Sequence, residues 1–380
     1  MRQPPIVVLG AASGPRAEAF RAALARLGEP PVEFLSYERF LGDPALLADM
    51  LQPGAIVRFD SPDRERASLY ALYRAGAEAA ALAGFPVFTG PALDGILDRR
   101  GPIGSPAQLA LGLTHALSQA AAIARGRGAR LLANPVEVAR SFDKLANSEH
   151  LHAHGIPVPR RIGSVANFDE LLAKMREERL ARVFVKLRFG SSAAGITALG
   201  LGPGGQIVAY TTAVAGEAGV PYATRAVRRL AQHREVREII DLLAPLGLYA
   251  EAWLPKAGID GRNSDLRIVT VSGQPVFNVM RLSPHPMTNL HLGGVRRSPE
   301  ALRERVGKVA WGKLLESCRA VACAYPGCSM LGIDAAVLSD NRRHTLFEVN
   351  AFGDHIKGVT FRGCTPQEWQ ILQYRMRDAA

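Results

Sequence analysis

The stretch "LGIDAAVLSDNRRHTLFEVN", residues 331–350, constrains the fold more than any other part of the chain. Two apolar runs flank a polar segment at 339–343, the pattern of a β-hairpin. With the turn centred on Asn341, antiparallel pairing sets Asp334 directly opposite Glu348. Opposed residues have Cβ atoms roughly 5 Å apart. Side chains alternate along a strand, so Asn350 joins Glu348 on one face, while Ile333, Ala335, Val337, Phe347 and Val349 fall on the other. Two carboxylates and an amide oxygen thus share one side of a half-buried sheet. Carboxylates that close repel unless a cation sits between them. An all-oxygen donor set suits a hard ion such as Mg²⁺, which usually takes one or two carboxylates plus substrate phosphates. The competing explanation is an exposed acid paired with Arg342 or Arg343.

A second constraint is "VFVKLRFGSSAAGIT". As a strand it puts Val183, Val185 and Leu187 on one face, and Phe184, Lys186 and Arg188 on the other. A lysine followed at once by a Gly-Ser-Ser loop can grip phosphate, the loop giving N–H and hydroxyl donors and the lysine a point charge. No G-K-[ST] follows, so this is not a Walker A loop. A lysine snorkelling beside a flexible turn is the alternative.

The N-terminal third alternates strand and helix. "IVVLG" at 6–10, "PVEFLSY" at 31–37 and "GAIVRFDSP" at 54–62 read as strands, and "SLYALYRAGAEAAAL" at 68–82 as one helix. This order predicts a parallel α/β sheet. The turn from Gly10 to Gly14 lacks G-x-G-x-x-G, so it reads as a tight strand-to-helix turn rather than a dinucleotide site. Residues 91–133 read as Ala-rich helix, and 222–247 as a helical region carrying Arg225, Arg228, Arg229, Arg234 and Arg237, a solvated face or a contact for an acidic substrate. Strands return from 248, interrupted by a helix near 299–324.

The net charge of +11 favours anionic partners. Cys318, Cys323, Cys328 and Cys364 form no C-x-x-C pair, which points to buried free thiols in a reducing cytosol and away from a disulfide scaffold. No apolar run is long enough to span a bilayer, and a cytoplasmic location is expected. His150 and His154 are spaced to share a metal on a helix, but no third ligand is evident.

The ordered set Asp143-Lys144, Lys186 with its Gly-Ser loop, "AEAWL", "DLR" and "IDAAV…FEVN" resembles the ATP-grasp superfamily over about residues 134–360. Within it the chain is most similar to ribosomal-protein glutamate ligases and glutathione synthetase-type carboxylate–amine ligases, and "NLHLGG" at 289–294 resembles a segment of the former. The resemblance implies an α/β fold with α+β subdomains: an N-terminal Rossmann-like pre-ATP-grasp domain at 1–135, a lid at 136–250 and a Mg-binding subdomain at 251–380. It implies that Lys144 and Lys186 contact the α- and β-phosphates, and that Ser191, Ser192 and Gly195 cover them. Glu251, Trp253 and Leu254 would hold adenine, largely through backbone groups, and Asp260 or Asp265 would reach the ribose. Arg267 and Arg281 would face the γ-phosphate and the acyl phosphate, with Asn289 and the catalytic candidate His291 nearby. Asp334, Glu348 and Asn350 would bind two Mg²⁺, with Mn²⁺ able to stand in.

The implied activity is ATP-dependent activation of a carboxylate as an acyl phosphate and its joining to an amine, releasing ADP and phosphate. The expected substrates are small-molecule or peptide carboxylates and amines, or an acidic macromolecule; no membrane and no nucleic acid partner is expected. Two alternatives stay open: an ATP-grasp protein without ligase chemistry or acting on a macromolecule, and a basic nucleic-acid-binding protein. The latter lacks aromatic stacking residues among its arginines. The sequence departs from the glutamate ligases at "AFGDHIKG" after Asn350, where Asp354 and His355 stand near the expected nucleophile.

Overall fold

The computed structural model describes residues 4–63, 65–216, 219–354 and 356–378; His355 lies outside them. The chain opens with β1 (Ile6–Leu9), α1 (Pro15–Arg26), β2 (Glu33–Leu35), α2 (Tyr37–Gly42), α3 (Ala45–Met50) and β3 (Ile56–Phe59). Then come α4 (Arg66–Ala75), α5 (Ala77–Leu82), α6 (Gly90–Leu97), α7 (Pro106–Gly126) and β4 (Arg130–Leu131). The four strands pair in parallel in the order β2-β1-β3-β4. The second strand stops at Leu35 because the Ser36 side chain accepts from Arg39 N and caps α2. The helix expected over 68–82 is two, meeting at Gly76: a Cβ there would lie 2.0 Å from Gln108 O, so α4 and α7 cross with their backbones almost touching.

Two helices follow, α8 (Pro135–Phe142) and α9 (Lys144–Ala153). A second sheet is formed by β5 (Arg161–Val165), β6 (Arg182–Leu187), β7 (Thr197–Leu201), β8 (Ile207–Ala215), β9 (Pro221–Leu230) and β10 (Leu248–Ala252). Its order is β5-β10-β6-β7-β8-β9, all antiparallel, with α10 (Phe168–Glu177) and α11 (His233–Leu243) packed on it. The arginine-rich stretch expected to be helical is therefore half strand. Arg225, Arg228 and Arg229 lie on β9, and only Arg234 and Arg237 lie on α11. Pairing with β8 overrides the local helix preference, and charged side chains suit an edge strand because they discourage further pairing. Part of that edge is covered by the N-terminal domain, where Ile103 N donates to Pro221 O and Ala223 N to Gly101 O, each at 2.7 Å.

The third sheet contains β11 (Gly258–Ile259), β12 (Arg262–Val271), β13 (Gln274–Ser283), β14 (Val295–Arg297), β15 (Met330–Val337) and β16 (His344–Asn350). Its main path runs β14-β13-β12-β15-β16, antiparallel throughout. Helix α12 (Glu300–Ala324) covers its apolar face through Trp311, Leu314 and Cys318, and α13 (Pro366–Asp378) returns to the N-terminal domain, where Arg375 meets Glu29 at 2.7 Å.

The apolar side chains gather into two main bodies. One core runs from Val7, Leu9 and Leu35 of the first sheet through Val138 and Leu151 of α8 and α9 to Ile333, Val337, Leu346 and Val349 of the third. The second sheet has its own core, built on Val183, Val185, Leu187, Ile239, Ile240 and Leu243. Helices α8 and α9, at 135–153, thus pack with the third sheet rather than the second. The fold is a continuous base and a separately packed lid over a cleft. No helix is long and apolar enough to cross a membrane among the described residues. The four cysteines are free thiols, but only Cys318 and Cys328 are buried as expected; Cys323 is exposed and Cys364 half-buried.

Candidate active site

The cleft between base and lid has a volume of about 1610 Å³. Its floor is the polar face of the third sheet. Asp334 pairs with Glu348 across β15 and β16, the register read from the hairpin pattern, and Asn350 pairs with Gly332. On its other side Asp334 pairs with Arg267 of β12, which brings a cation into the same row. One expectation for this hairpin fails. The register shifts after Asp334, so Ala335 opposes Leu346 instead of Phe347. The extra residue is a β-bulge, which breaks alternation locally. Leu346 goes into the core, and Phe347 lines the cleft beside Glu348 rather than joining the apolar face.

Charge on this floor is nearly self-neutralised. Asp334 Oδ1 lies 2.9 Å from Arg281 Nη2 and 3.1 Å from Arg267 Nε. Arg267 also reaches Asp354 at 3.1 Å, and Arg281 grips both oxygens of Asp265 at 2.7 and 2.8 Å. Burial pushes the Asp334 carboxyl up, but Arg267, Arg281 and Lys144 outweigh it and hold the group below the usual carboxylate range. For Arg281 burial works against the charged form, and Asp265 with Asp334 reverses that, so its pKa rises.

From the base Lys144 pairs with Glu348 at 2.6 Å, and from the lid sheet Lys186 pairs with Glu251. Lys144 opens α9, whose N-cap Asp143 takes Arg188 in a two-pronged pair at 2.7 and 2.6 Å. Strand β6 places Lys186 and Phe184 on the cleft face, as alternation required. Ser191 and Ser192 line the cleft from the loop above; Ser192 has φ 54 and Gly195 φ 65.

The remaining expected residues divide. Glu251, Asp265, Asn289 and His291 line the cleft. Asp265 is committed to Arg281 and to the Thr288 hydroxyl, which donates to it, rather than open to a ribose. Asp260 sits in the turn after β11 with φ 51, away from the cleft lining. The Asn289 side chain accepts from His291 N at 2.8 Å and caps a short helical turn. Trp253 lies outside the cleft lining, its ring 5.6 Å from Phe184, and its main-chain N–H already donates to Arg182 O at 3.1 Å; Leu254 follows it. His150 and His154 bind main-chain carbonyls at 2.9 and 2.8 Å, and no group of three or more His, Cys, Asp or Glu suited to a metal occurs among the described residues. Arg237 pairs with Asp169 at the surface, whereas Arg225 lines the cleft.

Sequence reasoning missed several residues. Lys256 lines the cleft two residues past Leu254; Thr288 joins it to Asp265; Arg16 ties Asp60 to Phe352 O, each at 2.7 Å. Ser13 and Gly14 of the first turn also face the cleft. The one available signal was the position of that turn: in parallel sheets ligands gather outside the carboxyl ends of the strands.

The donors Asp334, Glu348 and Asn350 fit Mg²⁺ on chemistry, being all oxygen. Asp334 Oδ1 adds a second point: it is buried, and its neighbouring guanidinium groups form no aligned hydrogen bond to it. A buried carboxylate oxygen held by ion pairing without an aligned donor keeps a lone pair that a further cation could take.

No protein-family model matches the chain, and no curated protein matches it. Solved structures do. ATP-grasp ligase PsnB complexed with a phosphomimetic variant of its minimal precursor, Mg and ADP has 13% identity over 100% of both chains, with a TM-score of 0.54. The D-cycloserine synthetase DcsG has 12% identity over 98% of this chain and 99% of its own, at TM-score 0.55. Macrocyclase MdnC bound with precursor peptide MdnA, from Microcystis aeruginosa MRC, has 13% identity over 98% and 99%, at TM-score 0.52. What the chain shares with them is its fold, the ATP-grasp fold.

Proposed function

We propose that the chain is a Mg-ATP-dependent ligase that activates a carboxylate as an acyl phosphate and joins it to an amine. The observation that carries this reading is the cleft floor. Asp334 and Glu348 stand opposed in register, with Arg267 and Arg281 beside Asp334 and Lys144 on Glu348. Structures of similar fold support the cofactors, since PsnB is complexed with Mg and ADP. The substrate class follows the same likeness: MdnC binds a precursor peptide, and DcsG is a D-cycloserine synthetase. A peptide or small-molecule carboxylate with an amine nucleophile is therefore the substrate pair proposed here.

The residues divide the work by charge. Lys144 and Lys186 exchange Glu348 and Glu251 for nucleotide phosphates as the lid closes. A substrate carboxylate oxygen then attacks the γ-phosphorus, the bond to the β,γ-bridging oxygen breaks, and ADP leaves. Arg267 and Arg281 neutralise the anions brought together there; a guanidinium fork can bridge two oxygens, and fixed charges in an enclosed site need no reorganisation. Mg²⁺ held by Asp334, Glu348 and Asn350 would supply further charge neutralisation at the phosphates. Ser191 and Ser192 close over the acyl phosphate and keep water from it. The amine next attacks the acyl carbon, phosphate departs and the nitrogen loses a proton to solvent.

The test is a screen of carboxylate and amine pools for substrate-dependent release of ADP and phosphate by the purified chain. Release that needs both a carboxylate and Mg²⁺, with an acyl hydroxamate trapped by hydroxylamine, is the expected result. Nucleotide turnover with no trapped acyl group would sink the ligase reading. Tight, salt-sensitive nucleic-acid binding without ATP turnover would replace it.

A further inference from the structure

Three lysines line the cleft, and they are not equivalent. Lys144 has Glu348 as counter-ion and Lys186 has Glu251. Lys256 instead donates to Pro286 O at 3.0 Å and to Thr288 Oγ1 at 3.2 Å, both neutral acceptors. An ammonium carries three N–H donors, so the third is left to the cleft that Lys256 lines. An ammonium taken out of water against neutral partners is costly unless an anion joins it. Burial accordingly pushes Lys256 down to about 8. Of the charged groups facing it, Asp265 on β12 and Asp334 on β15 pull it back up, while Arg281 on β13 and Lys186 on β6 push it further down.

Its location says which anion belongs there. The bulge that turns Phe347 into the cleft sets its ring 5.8 Å from Lys256 Nζ and 5.9 Å from Lys186 Nζ. The two ammonium groups therefore approach the same ring, and Lys256 stands on the side of the cleft where Lys186 and the Gly-Ser loop meet phosphate. Its neutral partner Thr288 donates onward to Asp265, which Arg281 also grips. Among the described residues Lys256 has no direct ion pair, and Asp265 and Asp334 act on it only from a distance.

We propose that Lys256 is a third phosphate-binding cation of this cleft, its open N–H taking an anionic phosphate oxygen of the bound nucleotide. The inference rests on the ATP-dependent reading above and names a contact which that reading did not contain. It also accounts for a lysine placed near Arg281 and Lys186, whose like charges oppose its own and would be offset by a bound polyanion.

Calorimetric titration of the full chain with Mg-ADP, and with adenosine as a phosphate-free comparator, tests it. Lys256→Met is expected to weaken Mg-ADP binding roughly 10- to 100-fold, the range of a charge-assisted hydrogen bond, and to change adenosine binding less than about threefold by the same reasoning. Lys256→Arg keeps the charge and is expected to recover most of the loss, which also guards against a Met variant that merely misfolds. Because burial lowers Lys256 to about 8, the wild type is expected to take up protons on binding Mg-ADP over the mildly alkaline range, read from buffers of differing ionisation heat; in Lys256→Met that uptake is expected to shrink. An unchanged Mg-ADP affinity in Lys256→Met, or an equal loss for adenosine, overturns the proposal while leaving the ligase reading standing. Wild-type protein that binds no Mg-ADP overturns the nucleotide reading, and this contact with it.

Discussion

The two walls of the cleft are built on opposite principles. The floor is a row of charged side chains on paired strands: Arg281, Asp265, Arg267, Asp334 and Glu348 are fixed by register and by one another. The lid wall is a short loop of small residues, with Ser192 at φ 54 and Ala193 at φ 59, anchored mainly by main-chain contacts. The floor shares a core with the N-terminal domain, whereas the lid has a core of its own that takes in only Ile103 from that domain. A charged site can be aimed in advance only where strands hold it, and a cover can open only where its core is separate. Substitutions in the floor should therefore strike chemistry, and substitutions in the lid should strike nucleotide capture.

The largest effect is expected from Asp334→Asn. Two guanidinium groups face this carboxylate, and its loss leaves Arg281 with Asp265 alone and Arg267 with Asp354 alone, a cost of about 1–3 kcal/mol for the charge-assisted contacts removed. Turnover should fall by about a thousandfold or more, since charge stabilisation and metal binding fail together. Thermal unfolding should show a lowered Tm, whereas Glu348→Gln should lose comparable activity with little loss of Tm, its carboxylate being about 29% exposed. Full turnover in Asp334→Asn would break the division between walls.

Arg281→Lys keeps the charge and loses the fork that holds both Asp265 oxygens while reaching Asp334. A loss of about a hundredfold in kcat is expected from one misplaced transition-state donor, with KM for ATP nearly constant. A change confined to KM would place Arg281 in ground-state binding instead.

Acid should attack the floor before the lid. The folded-state pKa of Asp334 is depressed, so its stabilising contribution is present above the unfolded value and is lost as pH falls through the lower folded one. Asp60, held down by Arg16 and Arg58 against the opposing effect of burial, behaves alike at the N-terminal end of the cleft. Denaturant unfolding of wild type should weaken steeply below about pH 4, the ordinary carboxylate range, and Asp334→Asn should flatten that limb. An unchanged slope would show that other acids govern it.

The same contrast explains what the sequence made legible. Period-two alternation and one turn were enough to oppose Asp334 and Glu348, because a hairpin's register follows from its turn. The bulge at Phe347 was not legible, since no residue type there demands it. The lid is the least legible part: the sequence expectation has no counterpart for β7 and β8 and a helix in place of β9, because an edge strand carrying Arg225, Arg228 and Arg229 has no apolar alternation to betray it. Lys256 went unread for a related reason. Its meaning lies in Pro286 and Thr288, some thirty positions away, which hold it without a direct ion pair.

The smallest effect expected comes from the lid and tests the contrast from its weak side. The Thr212 hydroxyl, on β8, donates to Ala193 O at 2.7 Å and holds the loop that carries Ser191 and Ser192. Thr212→Val removes that anchor at nearly constant volume, and one lost hydrogen bond is worth about 1 kcal/mol. If that energy serves only to hold the cover in place, KM for ATP should rise about fivefold, while kcat under saturating nucleotide stays within about twofold. The floor's ion pairs are untouched by the change, so its acid sensitivity should match wild type. A fall in kcat as large as that of Arg281→Lys would mean that the loop takes part in the reaction itself, and the two walls would then have to be described as one site.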